Sequence, residues 1–491
     1  MKRKIQITVG LIIIFCSSSY SIAHADVLGF DNARHLLVRA EFSPQYERII
    51  EFSKLSREDA VEKILGETYS TALISLPDWY LQKETIKKNL HDLRKQSRKN
   101  SDNKLRKEVK KLQKEYSKSM RVWWYTLMLQ TPSPFTEKMT LFWHNHFATS
   151  GQKVKRPDYL IEQNLLLPKN ALGSFREMLH AIAKDPAMLI YLDNRLNRKE
   201  SPNENFAREV MELFTLGEGH YSEQDIQEAA RAFTGWGMNR KTSSFRVYPQ
   251  RHDNGIKNVL GHQGRFDGDD IIEILLEEPQ TAIFISEKLW KEFVSPDPDP
   301  EEIKRLATIF RATDYNIKKL MKAILTSDHF YRPENRMALI KSPVELVVGT
   351  LRQFNIQLSN LEAPLKITAN LGQNIFYPPN VKGWPGGEYW INSHTLQLRK
   401  HFLENIFLAQ NRLQSKREQK FNANKMDMKM NVNLDEWAQT SFDTNDKNNQ
   451  LAKVLISSND TAYINSLVNE DYVNDFEFIK KIVLSPYYQL K

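Results

Sequence analysis

A chain of 491 residues is long enough to bury one or two sizeable hydrophobic cores, and its single cysteine, Cys16, excludes a disulfide-stapled scaffold. The formal charge of +9, from 69 Lys and Arg against 60 Asp and Glu, is unevenly placed. Lys2, Arg3 and Lys4 carry three of these charges; residues 81–119 hold 14 basic against 5 acidic residues, so by subtraction the remainder is about −3. A footprint confined to one segment, with no base-reading motif, argues against a nucleic-acid-binding protein.

Residues 1–25 read as a secretion signal. Lys2, Arg3 and Lys4 form the positive end, residues 5–15 the apolar stretch and Ala23-His24-Ala25 a small-x-small cleavage site. The expected mature chain begins at Asp26, works in the periplasm or outside the cell, and is free of cysteine, because Cys16 leaves with the signal. Phe15 ahead of Cys16 does not suit a lipoprotein. No second run of about 18 apolar residues follows, so no membrane span is expected.

Helical periodicity then dominates. A short stretch at 33–40 precedes a helix opened by Ser56 with Asp59 three residues on. Between 81 and 119, Ile86, Leu90 and Leu93, then Leu105, Val109, Leu112 and Tyr116, recur at helical spacing on either side of the polar run 100–103. The spacing predicts a projecting basic helical hairpin, which either meets an anionic glycan or lipid surface or is simply solvated. Residues 121–130 and 135–147 are apolar nearly all round and should be buried helices. Further helices are expected at 157–167, 173–184 and 186–193. The next, 203–216, stops at Gly217, and Ser222 with Asp225 opens its successor. Strands at 245–248 and 256–260 flank a turn at 253–255 and predict one hairpin. Helices follow near 268–277, 280–294, 300–311, 315–327 and 343–356, then a Gly/Pro-rich stretch at 372–394. Residues 412–449 read as a polar linker and 450–491 as C-terminal helices. The fold class is therefore mostly α: an irregular multi-helix domain over 26–411 with one small β-hairpin and the basic hairpin as an insertion.

Four groups of residues carry candidate chemistry. His144 and His146 suggest metal ligands and leave room for a divalent metal, although residues two apart on a regular helix point about 200° apart. Otherwise they are helix-end histidines bonded to carbonyls. Glu204 and Arg208 stand four apart with Glu209 beside them: either a general base, ligand and anion clamp, or an ion-pair network tied to Asp225, Glu228 and Arg231. His252 and Asp253 sit at the predicted turn, as acid, base or ligand if the strands fold over that helix, and as plain turn residues if they do not. In the loop 376–390, Lys382 would face an anion, and Trp384 and Trp390 would stack on a ligand if exposed or plug the core if buried.

Ordered blocks across the chain resemble a known family. They are Ala33-Arg34-His35-Leu36-Leu37, Phe142-Trp143-His144-Asn145-His146-Phe147 and Asp185-Pro186-Ala187-Met188-Leu189. Asn203-Glu204-Asn205-Phe206-Ala207-Arg208-Glu209, Ala229-Ala230-Arg231-Ala232-Phe233-Thr234-Gly235-Trp236 and Pro378-Pro379-Asn380-Val381-Lys382-Gly383-Trp384-Pro385-Gly386-Gly387 follow. Together they resemble the bacterial domain-of-unknown-function family 1800, over roughly residues 30–405. The resemblance implies an exported helical protein, with a member of domain-of-unknown-function family 1501, which looks like the phosphatase and sulfatase superfamily, as a candidate partner. It supplies no catalytic residues. The basic hairpin looks like an insertion, and Asn170 stands where the resemblance implies histidine in many relatives. Two functional readings follow: a binding or assembly component of the envelope or exterior, and a metal-assisted hydrolase built on Glu204, Arg208, Glu209 and the histidines.

Overall fold

The computed structural model describes residues 27–71, 74–239, 242–414, 430–440, 442, 446–456, 461–470 and 472–491. The expected signal, with Cys16, lies outside them. Helices dominate and the strands are short, as the periodicity predicts. Among the described residues no helix is long and apolar enough to cross a membrane.

Two helices form the centre. Pro134–His146 and Pro343–Gln353 each begin on proline at a position where a missing N–H costs nothing, and both are buried on nearly every face. The outer helices are amphipathic and capped as their sequences specify. Ser56 accepts the Asp59 N–H, and Ser222 with Asp225, Asp267 with Asp270, and Ser342 with Glu345 form reciprocal capping boxes. One continuous apolar core runs from Leu28 to Tyr488.

The central helices also bury charge. Glu137 receives the Tyr69 hydroxyl at 2.9 Å and the Trp124 indole N–H at 2.8 Å, and burial pushes its carboxyl up to about 7. Outside these helices, burial raises Asp185, the N-cap of the helix Pro186–Tyr191, to about 7 as well. A raised carboxyl binds its proton more tightly when folded. Its contribution is complete below the unfolded value of about 4.3 and is lost as pH rises through about 7. Between pH 4.5 and 8 the Glu137→Gln variant should therefore lose less stability than the parent, by up to about 3 kcal/mol, since each tenfold step in proton affinity is worth about 1.4 kcal/mol. Urea unfolding at the two pH values checks this, and the same pH dependence in parent and variant would contradict it.

The basic hairpin forms from Lys83–Lys99 and Asn103–Gln130. Asp102 caps the second helix at Lys104 N (2.7 Å) and Leu105 N (3.2 Å). The separate buried helix expected at 121–130 is the inner end of this 28-residue helix. No Gly or Pro interrupts it, and its seam runs on through Met120 and Trp124 into the core.

The β region differs from the expectation. The strands at 245–247 and 257–259 do not pair with each other. Trp236–Met238 pairs with Phe245–Val247, and Lys257–Val259 pairs with His262–Gly264. Asp253 and His252 bind Arg231 and Thr234, which hold the connecting segment on the helix Glu223–Ala232 and keep the two strands apart. Each strand takes a local partner instead. The second pair closes through Leu260 (φ 50°) and Gly261 (φ 83°), both left-handed, as a two-residue hairpin turn requires.

The helix expected over 203–216 changes pitch. Glu204–Glu209 is α-helical and Val210–Thr215 is π-helical, with Leu216 N bonded to the Met211 carbonyl at 2.8 Å. Within the expected linker at 412–449, residues 430–440 are structured. Met430–Asn431 pairs with Gln357–Leu358, and Leu434–Thr440 is a helix that buries Leu434 and Ala438. The few apolar residues there are spaced to bury one face, which composition alone does not reveal. The C-terminal helices join the main body: Lys491 exchanges backbone hydrogen bonds with Leu339, and Arg34 donates to the Val454 carbonyl.

Candidate functional site

Three consecutive residues at the end of the helix Pro134–His146 tie two unlike elements together. Side chains on a helix step by about 100°, so His144, Asn145 and His146 fan in three directions. His144 Nε2 accepts the Phe376 N–H at 3.1 Å. Asn145 clamps Trp384 at both ends of its peptide, accepting its N–H at 2.7 Å and donating to its carbonyl at 3.1 Å. His146 faces the carbonyl of Phe214, in the π-helical turn, at 3.2 Å. The loop and the π-helix are thus positioned by one helix end.

This geometry specifies both imidazoles. His144 accepts at Nε2, so its proton is on Nδ1, and burial lowers its pKa to about 3. The Lys288 ammonium, 3.3 Å from His146 Nδ1, can only donate, so His146 is protonated on Nε2 and donates to Phe214. Burial, with Lys288 beside it, holds His146 well below the usual imidazole range. Both rings are neutral and occupied, and they reach different partners. Among the described residues no group of three or more His, Cys, Asp or Glu side chains is arranged to hold a metal ion.

In the loop, Phe376 is left-handed (φ 64°), with its N–H held by His144 and its carbonyl by Gly151 N at 2.9 Å. Trp384 and Trp390 are 3% and 7% exposed, so both plug the interior, while Tyr389, at 77%, is the exposed aromatic of the loop. Lys382 meets carboxylates of the chain itself, Glu218 at 2.7 Å and Glu212 at 3.3 Å. Glu212 also accepts the Tyr221 hydroxyl at 3.0 Å. Glu209 is half-buried without a hydrogen bond or ion pair among the described residues; burial, then the nearby Glu212, raises its pKa.

The other expected groups lie in separate networks. Arg208 makes a two-point pair with Glu223 at 2.7 Å on each arm and reaches Glu204 at 3.2 Å, linking the helix Glu204–Glu209 to Glu223–Ala232 at the surface. His252 Nδ1 contacts the Thr234 carbonyl at 2.9 Å. Asp253 accepts from Arg231 Nε at 2.8 Å and from Gly255 N at 2.8 Å, and Arg231 draws its carboxyl down to about 2. No hydrogen bond or ion pair among the described residues joins His252 or Asp253 to Glu204, Glu209, His144 or His146.

Two charged groups escaped the sequence reading. Lys288 occupies an amphipathic helix, where a lysine reads as solvated surface. The buried set Lys138, Glu345 and Lys491 spans the chain, and only the Ser342-x-x-Glu345 capping signature offered a local signal.

The family described as Protein of unknown function (DUF1800) matches residues 35–490. No curated protein and no solved structure matches the chain.

Proposed function

The chain belongs to the DUF1800 family, whose description assigns no activity, and from its own surface we propose an exported binding protein that engages an acidic glycan through the basic hairpin. One observation carries this reading. Ten of the hairpin's 14 Lys and Arg side chains are exposed, and of those ten only Lys111 has a carboxylate within ion-pair distance among the described residues, Glu115 at 4.0 Å. The less exposed ones at the base serve attachment: Lys83 pairs with Glu162 at 2.5 Å and Lys118 with Glu362 at 2.7 Å. The exposed basic stretches, residues 88–99 and 104–114, thus form a largely unpaired cationic rod about 17 Å long at 1.5 Å per residue. Its apolar seam is consumed in pairing the two helices, leaving no apolar face to insert into lipid, so an extended polyanion fits it better than a bilayer. The charge pattern of residues 1–25 supports export. The hydrolase alternative has less support, because Arg208, Glu204, His144, His146 and Asp253 are engaged with partners from the chain itself.

The test is binding to a polyuronate at about 0.15 M salt, where exposed charges act over about 8 Å. Affinity should fall steeply with added salt. Replacing Lys104, Lys107, Lys111 and Lys114 together by glutamine should weaken it at least about tenfold, or roughly 1.4 kcal/mol. Unchanged affinity in the variant sinks the proposal, and stronger binding to anionic vesicles than to the polyuronate reassigns the occupant to a membrane.

A further inference from the structure

A cavity of about 390 Å³ lies beside the clamped loop. Trp384-Pro385-Gly386-Gly387 and Trp390 form one wall, and Lys288, Lys291 and Glu292 of the helix Pro279–Phe293 form another. Lys138, Glu345 and Lys491 lie at its buried side. Leu141, Phe142, Pro296, Leu339 and Ile340 give the remainder an apolar lining.

Five lysines line this space against two glutamates, and four of the five are spoken for. Lys138 and Lys491 share Glu345 at 2.8 Å and 2.5 Å, Lys291 pairs with Glu287 at 2.6 Å, and Lys382 takes Glu218 and Glu212. Lys288 is the fifth. Among the described residues its ammonium has no carboxylate partner. It meets only His146 Nδ1 and the Leu213 carbonyl, both at 3.3 Å, and lies 4.6 Å from the centre of the Phe284 ring. An ammonium carries three N–H donors, so one is left for a further acceptor. Burial lowers its pKa to about 8, which leaves it largely protonated at neutral pH. A half-buried cation facing only neutral acceptors forgoes the charge-assisted hydrogen bond that the other four possess. The indole N–H of Trp384, on the same cavity, also has no partner among the described residues.

We propose that this cleft binds an amphiphilic oxyanion, with its carboxylate or phosphate on Lys288 and its apolar body against Leu339, Ile340 and Trp384. The site is distinct from the exposed hairpin and stands or falls independently of it. The loop clamp has a role in this reading. Asn145 and His144 fix the wall that carries Trp384, so the cavity is preformed and ligand binding does not bear the entropy of ordering it.

Isothermal titration of the purified chain with octanoate, octyl phosphate and octanol tests the proposal, since the three share an apolar body and differ in the head group. At least one anion should bind about tenfold or more tightly than octanol, and the better of the two identifies the oxyanion class. Lys288→Met should abolish that preference, whereas Lys291→Met, which removes a lysine already paired, should retain it. Equal binding of octanol and both anions, or no binding of either anion up to about 5 mM, where only dissociation constants of several millimolar or weaker would escape, overturns the proposal. So does a folded Lys288→Met variant that keeps the preference. The head-group comparison uses the unaltered chain and decides the matter even where that variant fails to fold.

Discussion

Replacing Glu345 with glutamine should destabilise the fold by about 3–5 kcal/mol, the cost of removing one member of a buried ion network and leaving the others uncompensated. Glu345 is buried in the central helix Pro343–Gln353 and receives Lys138 at 2.8 Å and Lys491 at 2.5 Å through the same carboxylate oxygen. Its other oxygen accepts the Ser342 N–H at 2.9 Å in the capping box. Glutamine has the same shape and can keep the capping hydrogen bond, so the loss reports the charge. Lys491 retains a second acceptor in Glu292 at 3.2 Å, whereas among the described residues Lys138 is left with only the Val38 and Glu41 carbonyls, at 3.5 Å and 3.3 Å. The two ammonium groups hold the Glu345 carboxyl well below its ordinary range despite its burial. A depressed carboxyl stabilises the fold above its unfolded value of about 4.3, and that contribution is lost as pH falls toward the folded value. Acid should therefore weaken the parent more than the glutamine variant. A shifted urea midpoint with an unchanged slope is the expected signature. A loss below about 1 kcal/mol would mean that water or another residue neutralises the lysines. The triple replacement Lys138→Met, Glu345→Leu and Lys491→Met should recover most of the loss, because a well-packed apolar set forgoes the desolvation penalty altogether.

That network also shows what a sequence reveals and what it conceals. Helices and caps were legible because their signals are local. Ser56 with Asp59, Ser222 with Asp225 and the three-four spacing of the hairpin seam each act within one turn. The partners of strands are not local. Phe245–Val247 has the composition of a strand, but its pairing with Trp236–Met238 follows from where Arg231 and Thr234 hold residues 252 and 253. The hairpin turn at Leu260-Gly261 lacks the Asn-Gly or Asp-Gly signature that would announce it. The same distinction governs the candidate site. His144-Asn145-His146 stood out as a motif, but its chemistry depends on Phe376, Trp384 and Phe214, between 68 and 239 positions away. The spacing drew attention to these residues and left a metal-ligand and a hydrogen-bonded reading open; in the fold they are neutral hydrogen-bonding groups that position a loop and a helical turn. Lys288 was invisible for the opposite reason, since nothing in its own helix distinguishes it from a solvated lysine.

The loop clamp yields the second large effect, and two glycines isolate it. Gly383 and Gly387 both have positive φ, 79° and 55°. Alanine at either position bears the left-handed backbone cost of about 1–2 kcal/mol. Their surroundings differ. A Cβ on Gly387 meets nothing within 4 Å, whereas a Cβ on Gly383 collides with Asn145 Oδ1 and lies 2.7 Å from its backbone oxygen. Asn145 cannot move aside and still hold both ends of the Trp384 peptide, so Gly383→Ala should also forfeit those two hydrogen bonds, at about 1 kcal/mol each. The expected total is about 3–4 kcal/mol for Gly383→Ala against about 1–2 kcal/mol for Gly387→Ala, read as urea unfolding free energies. Once Asn145 is alanine, the collision with Oδ1 and both clamp bonds are gone, so Asn145→Ala combined with Gly383→Ala should cost less than the sum of the two singly, since they act on one contact. Equal losses at the two glycines, or full additivity with Asn145→Ala, would place the rigidity of this loop in its prolines. Non-additivity would locate it in the Asn145 clamp, and with it the wall of the lysine-lined cleft, since that wall begins at the residue Asn145 holds.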